Sequence, residues 1–221
     1  MKKKAHFVTF EGVEGSGKTT QVRLVAEHYS GRGVSVLTTR EPGGTELGNE
    51  LRALLLQARK EALSPMAELL LMEAARAQHF THVLSPAMDK YQLVLCDRFT
   101  DATLAYQSGG RGLDRDFIAL LNEKSADRLH PDLTILLDLS PQEALRRALG
   151  RIHRQKNRSA DGVEDRFEQE ALSFHERVRE AYMDLAKKEP GRFVVVDGTR
   201  PIGEVKEAIC KRVDLLREGS R

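Results

Sequence analysis

Cysteine is scarce in this chain: two among 221 residues, Cys96 inside an apolar run and Cys210 in a helical pattern. Two thiols so placed build neither a disulfide framework nor a cysteine-based metal site, and both read as inert, buried or half-buried groups in a reducing compartment. Long apolar runs are missing too. No stretch approaches the ~18 residues of a membrane span, and the lysine-rich residues 1–4 lead into a short strand-like segment without a cleavable apolar region behind it. A cytoplasmic protein with no membrane contact is expected. Charge of one sign is absent in bulk, since 35 lysines and arginines against 33 acidic residues leave +2, too little to advertise nucleic-acid binding. With no internal repeat and no low-complexity linker, a 40% hydrophobic chain of this length is read as one domain over residues 1–221.

What is present is an alternation. Short β-rich runs at 6–10, 34–38, 93–96, 133–137 and 193–196 are nearly continuous in apolar residues, as strands buried on both faces are. Between them apolar residues recur at helical spacing, as in Leu47, Leu51, Leu54 and Leu55, then Leu69, Leu70, Met72 and Ala75, then Phe174, Val178, Ala181 and Leu185. Strands alternating with helices predict an α/β fold with a parallel sheet. Gly31 and Gly33 follow the first helix, Ser64-Pro65 opens another, and Ser140-Pro141 places proline in the first turn of the next. Apolar content collapses over residues 151–162, which marks a surface loop or lid, bounded at about 147–164.

Gly12-Val13-Glu14-Gly15-Ser16-Gly17-Lys18-Thr19 matches G-x-x-x-x-G-K-[ST] and lies between the first strand and the first helix, where a phosphate-binding loop must lie. Glycines let backbone N–H groups turn inward around phosphate oxygens, the helix that follows presents its positive end, Lys18 reaches the β- and γ-phosphates, and the Thr19 hydroxyl can ligate magnesium. A chance glycine-rich turn is the bland alternative, and the flanking strand and helix argue against it. The loop alone does not separate kinases from GTPases, motors or non-enzymatic switches.

Further motifs stand in order along nearly the whole chain: Thr39-Arg40-Glu41-Pro42-Gly43-Gly44-Thr45, Ala74-Ala75-Arg76, Asp97-Arg98-Phe99, Ala105-Tyr106-Gln107-Ser108-Gly109-Gly110-Arg111-Gly112 and Asp165-Arg166-Phe167-Glu168. Together they resemble the thymidylate kinase family, in its mainly bacterial group that supplies arginines from a lid. The resemblance implies a P-loop NTPase fold, doubly wound, with a mostly parallel five-stranded sheet flanked by helices. It also implies transfer of phosphate from ATP to dTMP with Mg2+, and a homodimer formed through helices near 66–77. By resemblance Glu41, Pro42, Arg76, Arg98, Thr103, Tyr106 and Gln107 bind the acceptor. Within that set Arg76, Thr103 and Gln107 would meet the thymine base, and Tyr106 would lie against the deoxyribose. Glu14 would contact the acceptor sugar or magnesium-bound water, and residues 196–201 would lie near adenine.

The chemistry can be argued independently of the family. A phosphate monoester with a second pKa of about 6 is largely dianionic at neutral pH, so such an acceptor needs no general base. The difficulty is bringing two polyanions together, and arginine, planar and always charged, meets it. Arg98, directly after a buried strand, and Arg76, on a mostly apolar helix, are the two placed on the acceptor phosphate; structural ion pairs with Glu41 or Asp97 are the competing reading. Thr19 is the expected magnesium ligand, with Asp97 facing the metal through water. From 146 to 158 stand Arg146, Arg147, Arg151, Arg154, Lys156 and Arg158 with no acidic residue. Arg147, Arg151, Arg154 and Arg158 share one face of an extended helix, where mutual repulsion calls for an anionic partner such as ATP phosphates. Arg151, Arg154 and Arg158 are therefore counted with Lys18, Arg98 and Glu14 as catalytic. An RNA-touching surface is the lesser reading, because no aromatics interleave the cations.

Three positions depart from the family pattern. Met72 stands where a stacking phenylalanine is usual, Phe99 where tyrosine or histidine is, and Ala102 where serine is common. Another acceptor, such as dUMP, dGMP or a noncanonical pyrimidine monophosphate, and a non-catalytic nucleotide-binding regulator stay open at this point.

Overall fold

A computed structural model describes residues 5–57, 61–156 and 166–219, of residues 154–156 the backbone alone. The chain runs β1 (His6–Glu11), α1 (Lys18–Ser30), β2 (Val36–Arg40), α2 (Glu46–Leu56) and α3 (Pro65–His79), which continues through a π-helical turn (Phe80–Leu84) into α4 (Ser85–Lys90). β3 (Leu93–Asp97), α5 (Thr100–Thr103), a second π-helical segment (Leu104–Gly110) and α6 (Arg115–Ser125) follow. β4 (Leu133–Asp138), α7 (Pro141–Lys156), α8 (Leu172–Lys188), β5 (Phe193–Asp197) and α9 (Ile202–Glu218) complete it.

The strands lie in the order β2-β3-β1-β4-β5. Every pairing is parallel, with Phe10 opposite Asp97, Arg40 opposite Asp97, and Asp138 opposite Asp197. The carboxyl ends therefore share one edge, and the chain after β1 leaves the sheet between β3 and β4, where successive connections go opposite ways. In open α/β sheets that crevice receives ligands.

The apolar runs follow from burial on both faces. Val8, Phe10, Leu95 and Ile135 pack with Val22, Val25 and Tyr29 of α1 and Val205, Ile209 and Val213 of α9. Their strand neighbours point the other way: Leu136 meets Phe174, Val178 and Tyr182 of α8, while Phe7, Val94 and Cys96 meet Ala87 and Met88 of α4. Period-two alternation with an apolar layer on each side leaves no solvent-facing position in the run, and the polar exceptions Thr9 and Thr134 are buried and bonded to each other at 2.9 Å. Cys96 and Cys210 are both buried free thiols.

Helix punctuation behaves as the sequence suggests. Ser64 Oγ accepts from the Ala67 amide at 3.2 Å with Pro65 in the first turn, and Gly31 closes α1 by donating to Glu27 O at 3.0 Å. The loop expected from residue 151 onward is corrected in part: α7 continues to Lys156. Arginine, lysine and glutamine are good helix formers whatever their polarity, so the loss of apolar residues there marks an exposed helix rather than the end of one.

Candidate functional site

The loop after β1 is closed by its own lysine. Lys18 Nζ donates to Gly12 O at 2.9 Å, Val13 O at 2.8 Å and Ser16 Oγ at 3.3 Å. Burial, then the like charge of Arg98, pushes Lys18 down to about 8, against the pull of Asp97, Glu14 and Glu11. Gly15 has φ +77°, and a Cβ there would collide with the Ala144 carbonyl of α7. Only glycine allows α7 to ride this close to the loop. At the start of α1, Thr19 Oγ1 donates to Asp97 Oδ2 at 2.6 Å, which joins the first turn of α1 to the end of β3.

Arg98 follows β3 in a left-handed backbone conformation, φ +69°. Its own amide donates to Phe10 O at 2.9 Å and the next amide, of Phe99, to Glu11 Oε1 at 2.7 Å. Those two bonds tie the turn to β1 and offset the strain of a non-glycine residue in that region. The guanidinium then reaches across the loop. Nη1 donates to Gly12 O at 3.0 Å and Tyr182 Oη at 3.2 Å, and Nη2 donates to Glu14 Oε1 at 2.8 Å and Tyr106 Oη at 3.0 Å. Tyr106 in turn donates to Glu14 at 2.6 Å. Burial would raise the Glu14 carboxyl, but Arg98, Lys18 and the Tyr106 hydroxyl outweigh it and hold it below the ordinary glutamate value.

Arg76 is engaged on every side. Nε donates to Glu41 at 2.8 Å, Nη1 to Glu73 at 2.7 Å and Asn122 at 2.6 Å, and Nη2 to Phe99 O at 3.2 Å and Thr103 Oγ1 at 2.7 Å. All five N–H groups of a guanidinium are thus used within the protein, and the ion pair with Glu41 that the sequence left as a competing reading is present. Glu41 also accepts at 2.9 Å from His79 if Nδ1 bears the proton, and the Glu41–Pro42 peptide is cis.

These groups meet in one cavity of about 890 Å³. Gly15, Gly17, Lys18 and Thr19 of the loop line it with Glu41, Pro42, Met72, Arg76, Phe99, Ala102, Thr103 and Gln107, and with Glu14, Asp97, Arg98 and Tyr106. Gly12, Val13 and Ser16 of the same loop are the acceptors that hold Lys18. From α7, Arg147 and Arg151 also reach the cavity, the first bonded to Glu143 at 2.8 Å and Gly198 O at 2.9 Å, the second to Glu168 at 3.0 Å. Burial, then the negative charge of Glu14, raises the Glu168 carboxyl. Arg154 lies on α7, but its side chain and all of Arg158 are outside the described residues. Residues 196–201 run from the end of β5 through the turn into α9, where Asp197 accepts from the Thr199 amide at 2.8 Å. Among the described residues, no group of three or more His, Cys, Asp or Glu is placed to hold a metal ion.

Several members of the site escaped the sequence reading. Arg40, at the end of β2, and Arg52, on α2, line the cavity. Glu11 is wholly buried, bonded to the Phe99 amide and, at 2.7 Å, to Tyr182 Oη. An acid closing an apolar strand just before the loop is a signal that could have found it. Tyr182 has no local signal at all, because its partners lie far away in the chain.

An all-parallel sheet, a lysine-closed glycine loop at its switch point and a second, arginine-bearing half of the same cleft define a P-loop nucleoside triphosphate-binding fold of the kinase class. A family model described as thymidylate kinase matches residues 10–209. The chain is 50% identical to the thymidylate kinase of Pelobacter propionicus over 209 residues, covering 94% of this chain and 93% of that protein. It is 51% identical to that of Geobacter sulfurreducens over 206 residues, covering 93% and 94%. The crystal structure of thymidylate kinase from Ehrlichia chaffeensis superposes with a TM-score of 0.74 at 35% identity, covering 95% of this chain and 99% of that one. The chain belongs to the thymidylate kinase family.

Glu11 yields a pH-dependent expectation. Burial, then the like charge of Asp101, pushes its carboxyl up to about 8, against the opposing effects of Arg98, Tyr182 and the Phe99 amide. The folded state therefore keeps a proton that the unfolded state loses near the ordinary glutamate value, and this contribution to stability falls as pH rises through about 8. Glu11→Gln cannot titrate, so its melting temperature relative to the unsubstituted protein should become more favourable from pH 6 to pH 8.5. A difference that is flat, or that moves the other way, contradicts the assignment.

Proposed function

We propose that the chain transfers the γ-phosphoryl group of ATP to the phosphate of dTMP, giving ADP and dTDP. The observation that carries this is the single cavity: the phosphate-binding loop and a polar pocket with Glu41, Thr103 and Gln107 line the same space, and Arg98 in it is bonded to Gly12 O and Glu14 of the loop and to Tyr106. The loop amides and Lys18 hold the donor phosphates. Arg98 exchanges part of its contact with Glu14 for the acceptor phosphate and aligns it with the γ-phosphorus, so orientation and charge do most of the catalytic work. No general base is required. Tyr106, pinned between Arg98 and Glu14, stands against the sugar, with Glu14 beside it. Glu41 and Pro42 shape the base end, and Arg76 acts there by orienting Thr103.

Magnesium fits the donor set. Thr19 and Asp97 form an oxygen-only pair beside the loop, the hard-oxygen donor type this ion prefers, and these two side chains would hold it, Asp97 through water. Its positive charge would then offset the negative charge of the donor phosphates. The end of α7 and the segment to about 164 act as a lid over one catalytic domain, with Arg151, Arg154 and Arg158 as its cations. For Arg151 this means releasing Glu168. No helix among the described residues is long and apolar enough to cross a membrane; a cytoplasmic location is part of the same proposal.

Replacing Lys18 with alanine should lower kcat about 100-fold or more while circular dichroism and melting stay close to those of the unsubstituted protein; near-normal turnover would reject the donor site. In rates with ATP and a panel of monophosphates, dTMP should lead dUMP, dGMP and dCMP. Preference for a base lacking the methyl group would overturn the acceptor, and no ADP with any of them would restore a regulator.

A homodimer is part of the same reading. Leu47 and Leu54 on α2, Met66 and Leu70 on α3, and Phe117 and Leu120 on α6 expose large apolar side chains on three successive members of one helical layer. Such a patch on a water-facing surface marks an interface. Light scattering should give twice the chain mass, and Leu70→Glu with Leu120→Glu should give the monomer mass. A monomer before substitution contradicts the dimer.

A further inference from the structure

Behind the cavity wall, Glu68 of α3 is shut off from solvent. Its oxygens accept from Arg111 Nε at 3.2 Å and Nη2 at 3.0 Å, from Arg166 Nη1 at 2.7 Å, and from Gln107 Nε2 at 2.8 Å. Burial would raise this carboxyl, but the bonds from Arg111 and Gln107 and the charges of Arg111 and Arg166 outweigh it and hold it below the ordinary value. A carboxylate between two guanidinium groups is ionised, and an ionised carboxylate only accepts. The amide of Gln107 then has one orientation available: its NH2 group faces Glu68. Since Gln107 lines the cavity, the group it has left for a ligand is its carbonyl oxygen.

Four residues earlier, on the same wall, stands Thr103. Arg76 Nη2 donates to its oxygen at 2.7 Å, and a guanidinium accepts nothing, so the hydroxyl proton remains for a ligand acceptor. The wall offers an acceptor next to a donor, each polarity imposed from behind by a buried ion.

We infer that Glu68 is a positioning residue for base selection: by holding the Gln107 amide in one orientation, it matches the wall to a ring edge with N–H beside C=O. Thymine and uracil carry that edge. Cytosine carries the reverse, an unprotonated ring nitrogen beside an amino group, and would set acceptor against acceptor and donor against donor. This deepens the proposed function and rests on it, since it assumes that the acceptor base occupies this end of the cavity. It also gives the site a means of selection independent of the residue at 72, where methionine covers a ring less rigidly than an aromatic would.

The test compares dTMP with 5-methyl-dCMP, which keeps the methyl group, sugar and phosphate and reverses only the hydrogen-bonding edge. The unsubstituted enzyme should favour dTMP in kcat/KM by about 100-fold or more, as expected where polar groups would be left unpaired. In Glu68→Gln the neighbouring amide can turn over, and that ratio should fall at least tenfold, chiefly through KM. Equal losses for both nucleotides would show that Glu68 is merely structural and overturn the inference. If Glu68→Gln does not fold, Gln107→Met decides, because Arg111 and Arg166 still satisfy Glu68. It should lower kcat/KM for dTMP at least tenfold and shrink the dTMP to 5-methyl-dCMP ratio at least as much, because the carbonyl that opposes the cytosine ring nitrogen is lost with it, whereas parallel losses refute the assignment. An enzyme that phosphorylates no monophosphate refutes the proposed function itself, while one that phosphorylates dTMP and 5-methyl-dCMP equally well refutes this inference alone.

Discussion

The contact between Arg98 and Glu14 is the constraint on which the site depends. One partner comes from the turn after β3 and the other from the phosphate-binding loop after β1, and both are largely shielded from water, 17% and 13% exposed. Leaving one member of a buried pair alone costs about 3–5 kcal/mol in general, so neither charge is tolerated without the other or a substitute. An incoming phosphate dianion is such a substitute for Glu14. On the proposed function, the pair joins the donor and acceptor halves and keeps Arg98 in place until an anion arrives. Its surroundings are arranged to that end: Tyr106 and Tyr182 bond the guanidinium, and Glu11 holds both Tyr182 and the left-handed turn.

The same logic extends to the base end. Arg76 spends its donors on Glu41, Glu73, Asn122, Thr103 and a carbonyl, and so fixes the wall. Glu68 does the equivalent from the other polarity. Beside the loop, the collision that any Cβ at Gly15 would have with Ala144 shows α7 pressed onto it. Arg147 and Arg151 consequently arrive at the cavity from a helix whose position is already set by the phosphate-binding loop.

Much of the fold was legible because burial on two faces leaves an unmistakable trace: the apolar runs at 6–10, 93–96 and 133–137 are the three central strands. The edge strand β2 was placed two residues early, since Val34 is buried without joining the sheet. The glycine loop, Arg98 and Tyr106 were readable from motifs in order. Other contacts were not, for a physical reason. Tyr182 meets Glu11 across 171 positions, and Gln107 meets Glu68 across 39; neither Tyr182 nor Glu68 has a neighbour in the sequence that announces so distant a partner. The reach of α7 was misread because exposure and loss of helix both look like loss of apolar residues.

The central claim, that Arg98 and Glu14 act as one unit toward the acceptor, is tested most directly by a double-mutant cycle in kcat/KM for dTMP with Arg98→Met, Glu14→Gln and the pair. Without Arg98 the Glu14 carboxylate only repels the acceptor dianion, so removing it as well should recover activity. The expected coupling is at least about 1.4 kcal/mol, a tenfold departure from the product of the single effects. Effects that simply multiply would contradict the account.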